Sequence, residues 1–239
     1  DSRTGEVKPA ESLHRLQAIL FPLIMPTLLF MLLMMGAVPL LSSVTEEKSQ
    51  RIAEVMLGSV RPFHFMLGKV IGGVSVSLTA AAVYVVGGVL VLKYMELDEH
   101  VPYHLLPWFL AYAVMAIFMF GSMMAALGSS CNDASEVQAM SLPAMIPTIF
   151  PFFVQMPVVM NPQSTFATGL SLFPPCTPML MLIRQTTPAG VPAWQPWAGL
   201  AGVVLATVVC GWAAGRIFRV GLLMQGKPPK LGDLVRWAV

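Results

Sequence analysis

The chain has 239 residues, 56% of them hydrophobic and 11% charged, with a formal net charge of +2 and a mean hydropathy of +0.73. A soluble domain carries about 25% charged residues, so there is too little charge here to cover a water-exposed surface. That excludes a soluble enzyme. The near-neutral balance excludes bulk attraction to nucleic acid, and a polytopic membrane protein remains.

In chain order, residues 1–15 hold Arg3, Glu6, Lys8, Glu11 and Arg15. This is a polar extramembrane segment rather than a signal peptide, which would start basic and turn apolar. Five charge-free gaps follow: Arg15 to Glu46, Lys69 to Lys93, Glu99 to Asp133, Glu136 to Arg184, and Arg184 to Arg216. A spanning helix needs about 20 apolar residues, so each gap holds one. The spans are expected near 19–44, 70–92, 106–128, 141–160 and 198–219, inside a transmembrane domain of 16–222 followed by a tail of 223–239.

Between the first two spans lies TEEKSQRIAEVMLGSVRPFHFMLGK, residues 45–69. Thr45 reads as an N-cap, with Glu46 and Glu47 in the first turn. Glu47 and Arg51 form an i,i+4 pair. Ile52, Val55 and Met56 share one face, and Gly58 suits a C-cap. These residues predict a short amphipathic helix over 45–58, then a turn at Arg61–Pro62. It is either a surface helix on lipid or a docking helix for a soluble partner. The mixed charges Glu46, Glu47, Lys48, Arg51 and Glu54 differ from the basic face of a purely lipid-seeking helix.

Farther on, Glu96, His100 and His104 are spaced like metal ligands, but Pro102 interrupts the run and a polar loop is the reading. Asp133 and Glu136 fall on a short turn. Within 141–160, Pro143, Pro147, Pro151 and Pro157 recur at about one helical turn and should kink the span. Residues 170–183, LSLFPPCTPMLMLI, are a re-entrant segment or an apolar loop resting on the membrane. Gly68 and Gly72, and Gly211 and Gly215, form two GxxxG pairs suited to close helix packing within a bundle or a dimer.

Lys and Arg set the orientation. Nine lie on the side of 45–69 and the C-terminal tail, five on the other. The N-terminus is therefore expected outside and the C-terminus in the cytosol. Cys131 is then on a cytosolic turn, open to thiol reagents from that side. Cys131, Cys176 and Cys210 are far apart, and no CxxC pair occurs, so neither a zinc site nor a disulfide framework is expected.

Four ordered blocks resemble one family. They are the 45–69 segment, GSSCNDASEVQAMSLP, LSLFPPCTPMLMLIR and AAGRIFRVGLLMQGKPPKLGDLVRW. Together they are similar to ABC-2 type transporter permeases, particularly the bacterial sodium-efflux (NatB-like) branch, over residues 16–237. The resemblance implies an all-α fold with a cytosolic coupling helix, and a permease subunit of an exporter in the bacterial cytoplasmic membrane. It implies a separate cytosolic ABC ATPase as partner, and no phosphate-binding GxxxxGK[ST] occurs in this chain. The ATPase-coupling residues it implies are Glu46, Glu47, Arg51, Ile52, Glu54, Val55, Met56 and Leu57.

Such permeases usually have six spanning helices and a large outer domain between the first two. Five spans and a polar start at Asp1 fit a chain lacking the first helix and most of that domain, with 1–15 as its remnant. A second permease copy or paralogue and membrane lipid are the further expected partners. A non-transporting scaffold or sensor subunit is the alternative. An intramembrane enzyme is disfavoured, because no histidine or carboxylate falls inside a predicted span. No cofactor is expected.

Overall fold

The structure is a computed structural model that describes residues 9–50, 52, 55, 58–94, 103–187 and 190–223. Among them there are helices and no strands. The helices are α1 (Pro9–Gly36), α2 (Pro39–Ser49), α3 (Pro62–Tyr94), α4 (Leu106–Ser130), α5 (Ala134–Met160), α6 (Thr165–Leu172), α7 (Thr177–Thr186) and α8 (Trp194–Leu223). Five stretches are long and apolar enough to cross a membrane: Pro22–Ser49, Pro62–Leu90, Leu106–Ser130, Ala134–Met160 and Trp194–Gly221. A backbone that bonds to itself is the only kind an apolar medium tolerates, which is why each apolar run is helical. The chain is a polytopic membrane protein.

The first span is not one straight helix. Pro39 has no N–H, and the ladder changes around it: Val38 N donates to Leu33 O, whereas Leu40 N donates to Ala37 O. The apolar stretch thus bends at Ala37–Val38 and runs on as α2. Thr45 lies inside α2 and caps nothing; the N-cap is Val38. The expected helix start at Thr45 is wrong because apolar helix and polar continuation form one element, and the polarity change hides that. Further on, α5 continues through all four of its prolines.

The central helix is α4, with 61% of its span buried against 17–39% for the other four. Small residues make that position possible. A Cβ on Gly128 would run into the Leu41 backbone of α2, and one on Gly121 would touch Leu40 and Val70. With no hydrophobic force between helices in lipid, close backbone approach and dispersion supply the association. The α1–α3 crossing uses Gly36 and Gly73 in the same way, each blocking a Cβ on the other, and Ser77 Oγ donates to Leu32 O at 2.9 Å.

The GxxxG pairs have other surroundings. Nothing in the described chain lies within 4 Å of a Cβ placed on Gly68, Gly72 or Gly211; Gly215 alone of the four is close-packed, against the Phe63 ring. Among the described residues, close approach therefore occurs at Gly215 and not at Gly68, Gly72 or Gly211. The motif specifies a bare ridge, not which neighbour covers it.

Segment 170–183 takes in the end of α6, the turn 173–176 and most of α7. Residues 177–184 are buried, so this apolar stretch folds back among the helices. Arg184 anchors it: Nε donates to Pro162 O at 2.8 Å, Nη1 to Ser171 Oγ at 2.7 Å and Nη2 to Thr168 Oγ1 at 3.1 Å.

Candidate functional site

The end of the bundle that carries the 45–69 segment collects the C-terminus of α2, the start of α3, the α4–α5 turn and the C-terminus of α8. Three α2 side chains turn inward there. Thr45 Oγ1 lies 2.8 Å from Gly128 O and 3.0 Å from its own Leu41 O. Its single hydroxyl proton is shared between these acceptors. Lys48 Nζ donates to Ser129 O at 2.8 Å and to Gly221 O at 2.7 Å. Ser129 O belongs to the last turn of α4, where helix carbonyls lack intrahelical partners and carry partial negative charge, and Gly221 O lies in the last described turn of α8. A Cβ on Gly221 would run into Ser129, so the two helix ends already touch where the ammonium sits.

Glu47 reaches the other neighbour. Its carboxylate pairs with Lys69 of α3 at 2.5 Å, and Lys69 Nζ also donates to Ser43 Oγ at 2.6 Å. Two lysines, one on α2 and one on α3, thus tie α2 to α3, α4 and α8. Arg51, the expected i,i+4 partner of Glu47, lies outside the described residues, as do Glu54, Met56 and Leu57. Glu46 faces outward, and past α2 the side chains of Ile52 and Val55 are exposed, at 43% and 78%. The element therefore has a bonded inner side and a free outer side. Sequence reasoning missed Thr45, Lys48 and Lys69 in this role. The available signal was a lysine within a turn of an apolar run's end, where it can meet helix C-termini.

The α4–α5 turn completes the end. Asp133 caps α5: Oδ1 accepts from Ser135 N, Ser135 Oγ and Glu136 N at 2.7–2.9 Å. The Ser135 hydroxyl, then the Glu136 amide, hold its carboxyl below the usual range. Glu136 Oε2 accepts from Asn132 N at 2.6 Å. Both carboxylates serve the local turn, and Asp133 is exposed. Cys131 is 2% exposed, and burial, then the Glu136 charge, push its thiol up to about 11. The expectation of a readily labelled Cys131 is thus corrected: the turn is at the end of the bundle, but the thiol points inward. A cleft of about 130 Å³ between α2 and α5, lined by Ser42, Thr45, Glu46, Ser49, Ala134 and Val137, opens beside it.

No group of three or more metal-ligating side chains occurs among the described residues. Of the loop candidates, His104 is exposed, while Glu96 and His100 lie outside the described residues. What the described residues form here is a set of charge-assisted bonds that join α2 to α3, α4 and α8.

The chain is 26% identical over 215 residues to the uncharacterized protein YhaP of Bacillus subtilis, covering 85% of this chain and 51% of that protein. It is 23% identical over 185 residues to an uncharacterized protein of Methanocaldococcus jannaschii, covering 77% and 45%. The chain therefore spans about half the length of the curated relatives it matches. No solved structure gives a significant match. The family model described as "ABC-2 family transporter protein" matches residues 11–216, and the chain belongs to that family.

Proposed function

We propose that this chain is the membrane-spanning permease subunit of an ATP-binding cassette exporter in the bacterial cytoplasmic membrane. A separate cytosolic ATPase drives outward movement of substrate by alternating access. The carrying observation is the two-sided α2. Thr45, Lys48 and Glu47 bond it to α3, α4 and α8, while Glu46 on it is exposed, as are Ile52 and Val55 just past its end. A push on the outer side would be delivered to three spans at once. The Lys and Arg balance supports a cytosolic location for this end, with the N-terminus outside and the C-terminus inside. A second permease copy or paralogue completes the assembly, meeting the bare Gly68–Gly72 ridge of α3.

The sodium-efflux branch rests on sequence resemblance alone. The spans argue for no particular ion, since their carboxylates lie only at their ends, Glu46 and Glu47 in the first and Glu136 in the fourth.

The test is reconstitution with the partner ATPase in vesicles. Val55→Asp and Ile52→Asp should leave membrane insertion intact and abolish coupling between ATP hydrolysis and substrate movement. Losing two apolar contacts at a small interface costs on the order of several kcal/mol. Unchanged coupling in both variants would refute the docking role. Turnover absent from the wild-type complex would favour a scaffold or sensor subunit.

A further inference from the structure

We infer that the cleft between α2 and α5 receives a lysine or arginine side chain of the cytosolic ATPase, held by Glu46; this rests on the docking role proposed above and names the chemistry of its partner. The cleft encloses about 130 Å³ and is lined by Ser42, Thr45, Glu46 and Ser49 of α2 and by Ala134 and Val137 of α5. Thr45 is 3% exposed and forms the floor. Ser42, Glu46, Ser49 and Ala134 are exposed, so the mouth is open. It lies at the end of the bundle that carries Ile52 and Val55, both exposed just past α2.

The α2 wall is polar by spacing. Ser42, Thr45, Glu46 and Ser49 stand at i, i+3, i+4 and i+7, one face of a helix. Every hydroxyl proton on that face is already committed to a backbone carbonyl. Ser42 Oγ donates to Pro39 O at 3.0 Å, Thr45 Oγ1 to Gly128 O at 2.8 Å, and Ser49 Oγ to Glu46 O at 2.8 Å. The first turn of α5 commits its donors too: Ser135 N and Glu136 N donate to Asp133 Oδ1, and Val137 N to Asp133 O. The lining therefore offers an occupant hydroxyl lone pairs and the Glu46 carboxylate, which are acceptors. Glu46 pairs with no cation among the described residues, and the next ammonium along α2, Lys48, is bonded to Ser129 O and Gly221 O.

Charge and hydrogen-bonding character select the occupant. An anion would meet only lone pairs and a carboxylate. An apolar group would strip water from Glu46 and give it no partner. A metal ion asks for a closed shell of oxygens, about six to eight for calcium, and no group of three or more metal-ligating side chains occurs among the described residues. Lysine and arginine bring donors only, together with a positive charge to meet Glu46. Carried on a protein that already docks at this end, such a side chain escapes the association cost that a free amine bears.

The test uses the full-length permease with its ATPase in vesicles. Glu46→Gln breaks no side-chain bond within the described chain, so its melting without the ATPase should match wild type. With the ATPase, affinity should fall about fivefold, the upper end for one partly exposed ion pair, and should depend less on salt. Ala134→Phe narrows the mouth with Glu46 intact and should weaken binding to a similar extent. Glu46→Arg should weaken it further. Reversing one lysine or arginine of the ATPase to glutamate, located by crosslinking from a photoreactive residue in place of Ser49, should restore binding to Glu46→Arg. Wild-type affinity and salt dependence in both Glu46→Gln and Ala134→Phe, or no ATPase reversal that restores Glu46→Arg, would overturn the assignment. So would protection of Glu46 from carbodiimide by phosphatidylethanolamine vesicles that the ATPase does not increase, which would give the cleft to a lipid amine. If Ile52→Asp and Val55→Asp uncouple the ATPase while the cleft variants bind normally, the cleft assignment fails alone. If all of these variants bind and couple normally, the docking role fails with it.

Discussion

Lys48 donates to the carbonyl of Gly221, 173 residues away in sequence, at 2.7 Å. The same ammonium reaches Ser129 O at 2.8 Å, so one side chain at the end of α2 closes the last turns of both α4 and α8. Hydrogen bonds to a charged group contribute about 1.5–3 kcal/mol each, and more is lost when the acceptors stay buried. Under the proposed alternating-access role, such a bond is a linkage as well as a support.

Lys48→Met should therefore lower thermal stability in detergent by about 3 kcal/mol and reduce coupling to the ATPase, because two helix ends lose their shared donor. Unchanged melting in a fluorescence-based unfolding assay would show that the carbonyls find water instead.

The two classes of glycine should separate cleanly. Gly128→Ala places a Cβ in the Leu41 backbone and should cost roughly 1–3 kcal/mol, as overpacking does. Gly72→Ala meets nothing and should stabilise the isolated chain by up to about 1 kcal/mol through helix propensity. If a second copy covers that ridge, Gly72→Ala should also weaken dimerisation, measured by crosslinking or light scattering. A loss of chain stability at Gly72 equal to that at Gly128 would contradict the packing described.

Cys131 should be nearly inert to maleimide at pH 8. Its thiol is raised from 9.0 to about 11, so the thiolate, which is the reactive form, is about 100-fold scarcer than in an ordinary cysteine at that pH. Its labelling rate should climb as pH rises toward 11, while an exposed Ala134→Cys beside it should react readily at neutral pH. Ala134→Cys is also the better reporter of orientation. Labelling from outside intact cells would reverse the assignment argued from Lys and Arg.

Arg184→Ala should release the α6–α7 hairpin. The guanidinium supplies three bonds, to Pro162, Thr168 and Ser171, and Cys176 is 1% exposed at the start of α7. The expected outcome is faster Cys176 modification and new proteolytic cleavage near 161–176, with a stability loss of about 3 kcal/mol or more. Wild-type protection in both assays would mean that the apolar walls of α7 hold the hairpin unaided.

The sequence by itself determined the membrane class, the number of candidate spans and the family, because each depends on composition or local order. A charge-free run of sufficient length has no alternative to a helix in an apolar medium. Four motif blocks in the right order survive any detail of packing. It also singled out 45–69 as the unusual stretch. Only the tertiary structure decided which residues of that stretch face inward. Glu47 meets Lys69, and Lys48 meets two helix ends, through contacts that helical periodicity does not encode. The same holds for the glycines. Gly68–Gly72 and Gly36–Gly73 look alike as small residues, but only the second pair lies where two helices cross. A side chain's absence is a local property, whereas what comes near enough to use it is set by how distant segments dock.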